Sequence, residues 1–270
     1  MGEPHSAIPR ALSIAGSDSG GGAGIQADLK TFSALGVYGM TAITAVTVQN
    51  TMGVSAVSEI SADIVRDQVT SVLGDLGADA VKTGMLASAR IISAVAEALE
   101  GFRDLPLVID PVFVSKHGDP LLQADAVGAL KAELLPLAEL VTPNTHEASG
   151  LAGFEVVTRD DMRRAAEAIL ALGARAVLVK GGHLAGDSAA DLLADGENET
   201  WLEQERIDTV HTHGTGCTLS AAVAAYRARG LDLTEAVAGG KLFVTGAIRG
   251  GLAIGQGIGP VDQLWQLRKD

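Results

Sequence analysis

Aromatic side chains, cysteine and basic residues are all scarce in this chain of 270 residues. Tryptophan, tyrosine and phenylalanine together make up 3% of it, whereas glycine occurs 33 times. That balance disfavours an aromatic-rich binding module and suits tight turns between strands and helices. The single cysteine excludes an intramolecular disulfide framework and a metal cluster made of cysteines.

Positive charge is in deficit as well. The 20 lysines and arginines are outnumbered by 33 aspartates and glutamates, which leaves a net charge of −13. A nucleic-acid partner is therefore not expected, since binding to its phosphate backbone needs a basic surface. A nucleotide ligand remains compatible with this charge, because clustered backbone amides can hold a phosphate group locally.

Long apolar runs are missing too. No uninterrupted apolar stretch approaches the roughly 20 residues of a membrane span, so no membrane association is expected. Residues 1–10 contain Pro4 and Pro9 and no apolar run, unlike a signal peptide. The sequence predicts a cytoplasmic protein with one domain over residues 11–270 and a flexible N-terminal extension over residues 1–10.

Short apolar runs alternate with helical patterns along the whole chain. Several of the predicted strands are continuously apolar, which favours a mostly parallel sheet covered by helices on both faces. Strands are predicted at residues 12–15, 37–48, 56–60, 80–82, 107–110, 140–142, 176–180, 189–193 and 200–207. Helices are predicted at residues 25–35, 61–76, 88–99, 125–135, 146–151, 159–172, 218–229 and 234–249.

Polar residues and glycines follow many of these strands, at the edge of a parallel sheet where ligands bind. The most informative stretch is residues 211–220, a glycine-containing loop that leads into a helix. Free backbone amides and the helix dipole favour an anion there, and the dipole is expected to lower the pKa of the Cys217 thiol. These features indicate phosphoryl transfer, although a plain loop with a buried cysteine is the simpler alternative.

Other catalytic and binding motifs are incomplete. The glycine spacing at residues 22–27 fits a dinucleotide site, but the acidic residue expected about 20 positions later is missing. The one Gly-Lys pair, at residue 241, is followed by leucine and so is not a Walker loop. His211 and His213 lack partners at zinc-ligand spacing, and no Gly-x-Ser-x-Gly elbow of a hydrolase occurs.

Eight strings, in order along residues 11–262, carry a resemblance to a known family. They are residues 14–30, 49–51, 82–86, 110–112, 142–144 with Glu147, 180–183, 213–218 and 257–260. Through them the chain resembles the hydroxymethylpyrimidine/phosphomethylpyrimidine kinases of thiamine biosynthesis, in the ribokinase-like superfamily. The resemblance implies a three-layer α/β/α sandwich with a mostly parallel central sheet, little or no separate lid domain, and a homodimer.

The implied reaction moves the γ-phosphate of ATP, with Mg²⁺, to the hydroxymethyl group of 4-amino-5-hydroxymethyl-2-methylpyrimidine, and then phosphorylates that monophosphate. Gln49 would read the polar edge of the ring, because one carboxamide offers both a donor and an acceptor. The implied pocket also includes Gly16, Asp28, Met85 and Val112. The alternatives are a loop-capping role for Gln49, a core position for Met85 and a helix-terminal charge at Asp28.

On the phosphate side, the resemblance implies an anion hole with catalytic residues Gly214, Thr215, Gly216 and Cys217. The implied nucleotide contacts are Asn144, Lys180, Thr212 and Lys241, and the implied metal contacts are Glu147 and Asp110. Asn144 and Glu147 have the spacing of a helix cap, which is an alternative role for both. Lys180 and Lys241 are alternatively a sheet-edge and a helix-surface lysine.

The chain departs from the family pattern at Phe113, Ser115 and His117, and Phe113 is expected to reshape the ring pocket. Residues 20–24 and the surroundings of Gly118 are candidate flaps. The competing functions are a pyridoxal or pyridoxine kinase, which shares the implied fold, and a non-catalytic ligand-binding protein. A sugar kinase is less favoured, because the wider superfamily has aspartate where this chain has Cys217.

Overall fold

The computed structural model describes residues 8–113, 121, 123, 125–182 and 188–268. The described strands form one nine-stranded sheet in the order β3-β2-β1-β4-β5-β6-β7-β8-β9. The strands are β1 Arg10–Ser17, β2 Tyr38–Asn50, β3 Gly53–Glu59, β4 Ala80–Thr83, β5 Leu107–Ile109, β6 Leu140–Val141, β7 Ala176–Lys180, β8 Ser188–Ala194 and β9 Glu199–Glu205. The helices are α1 Gly24–Ala34, α2 Ala62–Asp75, α3 Ala89–Leu99, α4 Ala126–Ala129, α5 Thr145–Ala152, α6 Arg159–Leu170, α7 Thr215–Ala228 and α8 Leu233–Arg249.

Six neighbouring strands, β2, β1, β4, β5, β6 and β7, are parallel, and antiparallel strands complete both edges of the sheet. The short central strands are buried on both sides because helices cover both faces. One buried apolar cluster joins the sheet to α2 through α6, and a second joins it to α1, α7 and α8. The predicted three-layer α/β/α fold is confirmed.

The strand order reverses direction between β1 and β4. From β1 the chain passes to β2 on one side, and only later does β4 pair on the other side. In open α/β sheets, ligands bind at the carboxyl ends of the strands beside such a switch point. None of the described helices is both long and apolar enough to cross a membrane.

Some predicted boundaries differ from the structure. Helix α7 begins at Thr215, three residues before the predicted start, so the glycine loop runs directly into its first turn. The predicted helix over residues 125–135 is α-helical only at Ala126–Ala129 and continues as a π-helical turn and a 3-10 turn. Pro136 lies in that last turn and lacks the N–H that a continuing α-helix needs. Arg10 belongs to β1, not to the N-terminal extension; residues 1–7 lie outside the described residues.

A fully buried ion pair joins α1 to β4 beside the switch point. Lys82 Nζ lies 3.0 and 2.9 Å from the two carboxylate oxygens of Asp28, and Ser13 donates to the same carboxylate at 2.5 Å. Burial alone lowers the pKa of Lys82, but the nearby carboxylate outweighs it and keeps the amine protonated. Asp28 has no exposed surface, so the predicted direct contact with a pyrimidine is corrected to a supporting position behind the site.

We expect Lys82→Met to lower the free energy of unfolding by about 3–5 kcal/mol, because it leaves the Asp28 carboxylate buried without its partner. The double variant Asp28→Leu with Lys82→Met should recover most of that loss, since it removes both charges. Urea denaturation followed by circular dichroism measures both values. Arg103→Met is the control, because Arg103 belongs to an exposed pair with Glu100, 3.9 Å apart, and should change stability little. Equal stability of Lys82→Met and the wild type would contradict this account.

Candidate active site

Charged side chains from the ends of three central strands meet at one edge of the sheet. Asp110 follows β5, Lys180 ends β7, and Glu147 lies in the first turn of α5, just after β6. Lys180 Nζ donates to Asp110 Oδ1 at 3.0 Å and lies 3.9 Å from Glu147 Oε2. Burial alone lowers the pKa of Lys180, but the carboxylates of Asp110 and Glu147 raise it above its usual value. The strand ends thus hold a fixed positive charge between two carboxylates.

Asn144 and Glu147 form a capping box at the start of α5. The Asn144 side chain accepts from the Glu147 amide at 2.9 Å, and Glu147 Oε2 accepts from the Asn144 amide at 2.8 Å. The helix-cap alternative for this pair therefore describes part of its role. Burial raises the pKa of Glu147 to about 7; Lys180 opposes the shift and Asp110 adds to it. At Glu147, the cost of burying the carboxylate therefore exceeds the stabilisation that Lys180 provides.

The loop before α7 has the backbone geometry of an anion site. Gly214 has φ of +82°, and a Cβ at this position would lie 1.9 Å from the Gly22 carbonyl oxygen, so only glycine fits. Among the described residues, no acceptor receives a hydrogen bond from the amides of Gly214, Gly216 or Cys217. These amides lie at the positive end of a 14-residue helix. A Cβ on Gly216 would lie 3.3 Å from Lys180 Nζ, which places this loop beside the strand-end charges.

Cys217 lies in the first turn of α7 and is partly exposed. Burial of its sulfur among protein atoms raises the pKa of the thiol to about 11; Lys82 opposes this, whereas Asp28 and Asp110 add to it. The expected lowering of this pKa is therefore wrong. Desolvation and two nearby carboxylates decide the ionisation of this thiol, which the position at a helix start does not reveal.

The residues predicted for the ring pocket lie around the switch point. Met85, just after β4, packs on the end of β1 so closely that a Cβ on Gly16 would lie 2.3 Å from its Cε atom. Met85 is only 8% exposed and Gly16 is buried, so Met85 has much of the predicted alternative role as core. Gln49, at the end of β2, and Val112, after β5, are both partly exposed. The Gln49 carboxamide lies between Thr47 Oγ1 at 3.2 Å and His213 Nε2 at 3.3 Å.

Asp18 and His213 are functional candidates that the sequence reasoning did not single out. The Asp18 carboxylate accepts hydrogen bonds from the amides of Gly20, Gly22 and Ala23 at 2.7, 2.9 and 2.8 Å. It also contacts His213 Nε2 at 3.0 Å. Burial alone raises the pKa of Asp18, but the hydrogen bonds from His213, Ala23 and Gly20 lower it below its usual range. The glycine-rich loop predicted as a flap is thus tied to one buried carboxylate.

The sequence contained signals for Asp18 and for Lys82, the buried partner of Asp28. Asp18 stands directly before a glycine-rich run, where a carboxylate can accept from successive amides. Lys82 is a lone charge in an apolar strand, which implies a buried partner. Neither pattern names its distant partner, because Asp18 and His213 are 195 residues apart.

Lys241, a predicted nucleotide contact, belongs to a buried hydrogen-bond network next to Lys180. Lys241 Nζ donates to Asp191 Oδ2 at 2.5 Å and to the Ala189 carbonyl at 3.0 Å; it is buried, so the surface alternative is wrong. Asp191 in turn accepts from the Gly181 amide at 3.0 Å, next to Lys180. Lys241 therefore braces the strand end that carries Lys180.

Thr212 and Phe113 were also predicted to lie at the site. The Thr212 carbonyl accepts from the Thr215 hydroxyl at 2.8 Å, which tightens the anion loop. The Phe113 ring packs on α5, where a Cβ on Gly150 would lie 2.5 Å from Cε2 of the ring. Ser115, His117 and Gly118 lie outside the described residues. Within the described part of the chain, no three His, Cys, Asp or Glu side chains are grouped as a metal site.

The sequence profile of the phosphomethylpyrimidine kinase family matches residues 18–262. The chain belongs to this family. It is therefore a phosphotransferase, and both the family and the reaction class predicted from the sequence are confirmed. The profile covers residues 18–24 of the glycine-rich loop after β1, the polar residues that follow the central strands, and the loop before α7.

Curated relatives and solved structures agree with this membership. The hydroxymethylpyrimidine/phosphomethylpyrimidine kinase of Streptomyces coelicolor is 55% identical over 259 residues, 96% of each chain. That of Rhizobium meliloti is 54% identical over 263 residues, 96% of this chain and 98% of the other. An ADP complex of Bacillus subtilis pyridoxal kinase has a TM-score of 0.90 at 44% identity, covering 97% of this chain and 100% of that chain. The Clostridium difficile phosphomethylpyrimidine kinase has a TM-score of 0.79 at 46% identity, covering 88% and 99%.

The raised pKa of Cys217 predicts slow alkylation in the folded protein. At pH 7.5, iodoacetamide should react about 10- to 100-fold more slowly with the native protein than with the protein unfolded in guanidinium, because little thiolate is present. Mass spectrometry over time measures the rate, and Cys217 is the only cysteine that can react. The native rate should keep rising up to about pH 10 if ionisation, not access, limits the reaction. A plateau near pH 8 would contradict the raised pKa.

Proposed function

We propose that this kinase uses ATP to phosphorylate 4-amino-5-hydroxymethyl-2-methylpyrimidine and then its monophosphate, in thiamine biosynthesis. The observation that carries the proposal is the meeting of two half-sites in one cleft. The residues proposed for the ring pocket lie around the switch point between β1 and β4. Lys180, Asp110 and Glu147 lie at the neighbouring strand ends, together with the backbone amides at the start of α7 that have no acceptor among the described residues. The family membership and the curated relatives support the substrate.

The anion loop and Lys180 would stabilise the charge that develops on the transferring phosphoryl group. The amides of Gly214, Gly216 and Cys217 are already aligned by α7, so no reorganisation is needed when charge appears. A hydrogen bond to Asp110 holds Lys180 in place. Gly216 has no side chain and therefore leaves room for the Lys180 amine. In a loose transition state, positioning and charge stabilisation supply most of the rate enhancement.

The residues present fit a nucleotide-bound Mg²⁺. Asp110 and Glu147 offer carboxylate oxygens, the hard donors that Mg²⁺ prefers, and Mg²⁺ commonly binds through one or two carboxylates and substrate phosphates. Burial raises the pKa of Glu147 to about 7 despite the nearby Lys180, so an added cation would favour its ionised form. When bound, the ion would neutralise charge on the phosphate oxygens.

Cys217 is proposed to take part in the transfer itself, because its thiol lies in the same helical turn as the free amides. We expect Cys217→Ala to lower kcat by at least about 100-fold, a typical cost of removing one hydrogen-bond donor from a transition-state site, because the raised pKa keeps the thiol protonated. The KM for ATP should stay within about twofold, since the backbone amides remain. Steady-state kinetics with coupled ADP detection checks both values. Cys217→Ser is the matched control, because it keeps a polar hydrogen at this position. Near-normal turnover of Cys217→Ala would refute the proposed part of the thiol in the transfer.

Pyridoxal kinase activity is a second candidate function. Staphylococcus aureus pyridoxal kinase in complex with AMP-PCP and pyridoxal has a TM-score of 0.90 at 38% identity, covering 97% of this chain and 96% of that chain. We expect the pyrimidine alcohol with ATP to give mono- and diphosphate products by mass spectrometry, at higher kcat/KM than pyridoxal. Exclusive phosphorylation of pyridoxal would transfer the assignment to the second function. Absence of ADP formation with either alcohol would favour the non-catalytic alternative.

A homodimer is part of the proposal. The β2–β3 hairpin carries exposed apolar side chains, among them Val46 and Val48, and the latter is 60% exposed. Their cross-strand partners Ser58 and Ala56 are small, so one face of the hairpin offers a flat apolar surface. Exposed apolar patches of this kind commonly mark protein–protein contacts.

Val48→Asp should convert the dimer into a monomer, because a carboxylate would be buried without a partner at the hairpin contact. Size-exclusion chromatography with light scattering measures the mass of the 270-residue chain and of its assembly. Leu242→Asp is the control, since Leu242 is also 60% exposed and lies on α8, which packs against α7. A wild-type protein that is monomeric at micromolar concentration would refute the dimer.

A further inference from the structure

His213 contacts two functional residues through one ring nitrogen. Its Nε2 atom lies 3.0 Å from Asp18 Oδ2 and 3.3 Å from one end of the Gln49 carboxamide. His213 and Asp18 are 7% and 3% exposed, so both contacts are shielded from solvent. The other ring nitrogen, Nδ1, is buried and has no hydrogen-bond partner among the described residues.

These contacts decide which ring nitrogen carries the proton. The ionised carboxylate of Asp18 can only accept, so the Nε2 atom that faces it must donate. A proton on Nδ1 would be a buried donor without an acceptor, which folded proteins rarely contain. The network therefore assigns the proton of His213 to Nε2.

The same reasoning orients the Gln49 carboxamide. The second end of that group lies 3.2 Å from Thr47 Oγ1, and Thr47 Oγ1 lies 3.0 Å from the Ser17 carbonyl oxygen. A hydroxyl has one proton, and the carbonyl can only accept it, so Thr47 must accept from Gln49. The structure has Gln49 Nε2 on His213 and Gln49 Oε1 on Thr47, so these hydrogen-bond roles require the two ends of the carboxamide to be exchanged: its nitrogen then faces Thr47, and its oxygen faces the N–H of His213. The reverse orientation would place two N–H groups against each other.

We propose that His213 is a positioning residue for substrate recognition: held by Asp18, its Nε2–H fixes which end of the Gln49 carboxamide faces the ring. The free N–H and the free lone pair of Gln49 then meet a heterocycle edge with a ring nitrogen beside an exocyclic amine. This inference rests on the proposed function, because it deepens the role of Gln49 there. His213 directly precedes Gly214, so one residue links ring recognition to the anion loop.

Two substitutions separate donation by His213 from simple packing. His213→Leu removes the donor and should raise the KM for the pyrimidine alcohol at least about 10-fold, since the Gln49 carboxamide loses the contact that fixes its orientation. The KM for ATP should stay within about twofold. His213→Gln places an amide N–H near the position of Nε2 and should restore the KM for the alcohol to within about threefold of wild type. A purely structural role predicts that both variants fail alike and that both KM values change.

A measurement on the wild type covers the case in which the variants do not fold. Long-range ¹H–¹⁵N spectra report which nitrogen of each histidine ring is protonated, and the six histidines are assigned by substitution. We expect a protonated Nε2 and a bare Nδ1 for His213. The opposite tautomer, or equal kinetic effects of the two variants, would overturn the inference. A wild type that binds but does not phosphorylate the pyrimidine alcohol would refute the proposed function, while the ring spectrum would still test His213.

Discussion

The close approach of two backbone loops is the constraint on which this site depends. The carbonyl of Gly22, in the loop after β1, lies where a Cβ of residue 214 would be, at 1.9 Å. A Cβ on Gly22 would in turn lie 2.5 Å from the His213 ring. Only glycine at both positions allows this contact, and the contact brings together the two halves that we propose to bind the ring and the phosphates. The first turn of α7 therefore faces the end of β1 with its amides free.

Each buried lysine at or near the strand ends is paired with a carboxylate. Lys180 lies between Asp110 and Glu147 at the strand ends. Lys82 and Asp28 form a second, fully buried ion pair. Buried carboxylates are stable only beside such partners, because desolvation alone favours their neutral forms. Burial raises the pKa of the Cys217 thiol, and Asp28 and Asp110 add to that shift, so this thiol stays protonated.

Much of the fold was predictable from local patterns, because apolar periodicity follows directly from covering a sheet on both faces. The predicted strand at residues 176–180 coincides with β7, and the predicted helix at residues 234–249 begins one residue late. The errors occur where distant groups intervene. Pro136 interrupts a helix that its apolar spacing favoured, and the capping box of Asn144 and Glu147 serves both the helix and the cleft.

By itself, the sequence determined the family, the alternating α/β architecture and the polar strand ends, since each depends on residues close together in the chain. Only the tertiary structure decided how those residues act. The partners of Asp28, Lys241 and His213 lie 54, 50 and 195 residues away, and no local pattern encodes them. The ionisation of Cys217 was misjudged for the same reason, because desolvation and through-space charge depend on every packed neighbour and not on the helix start alone.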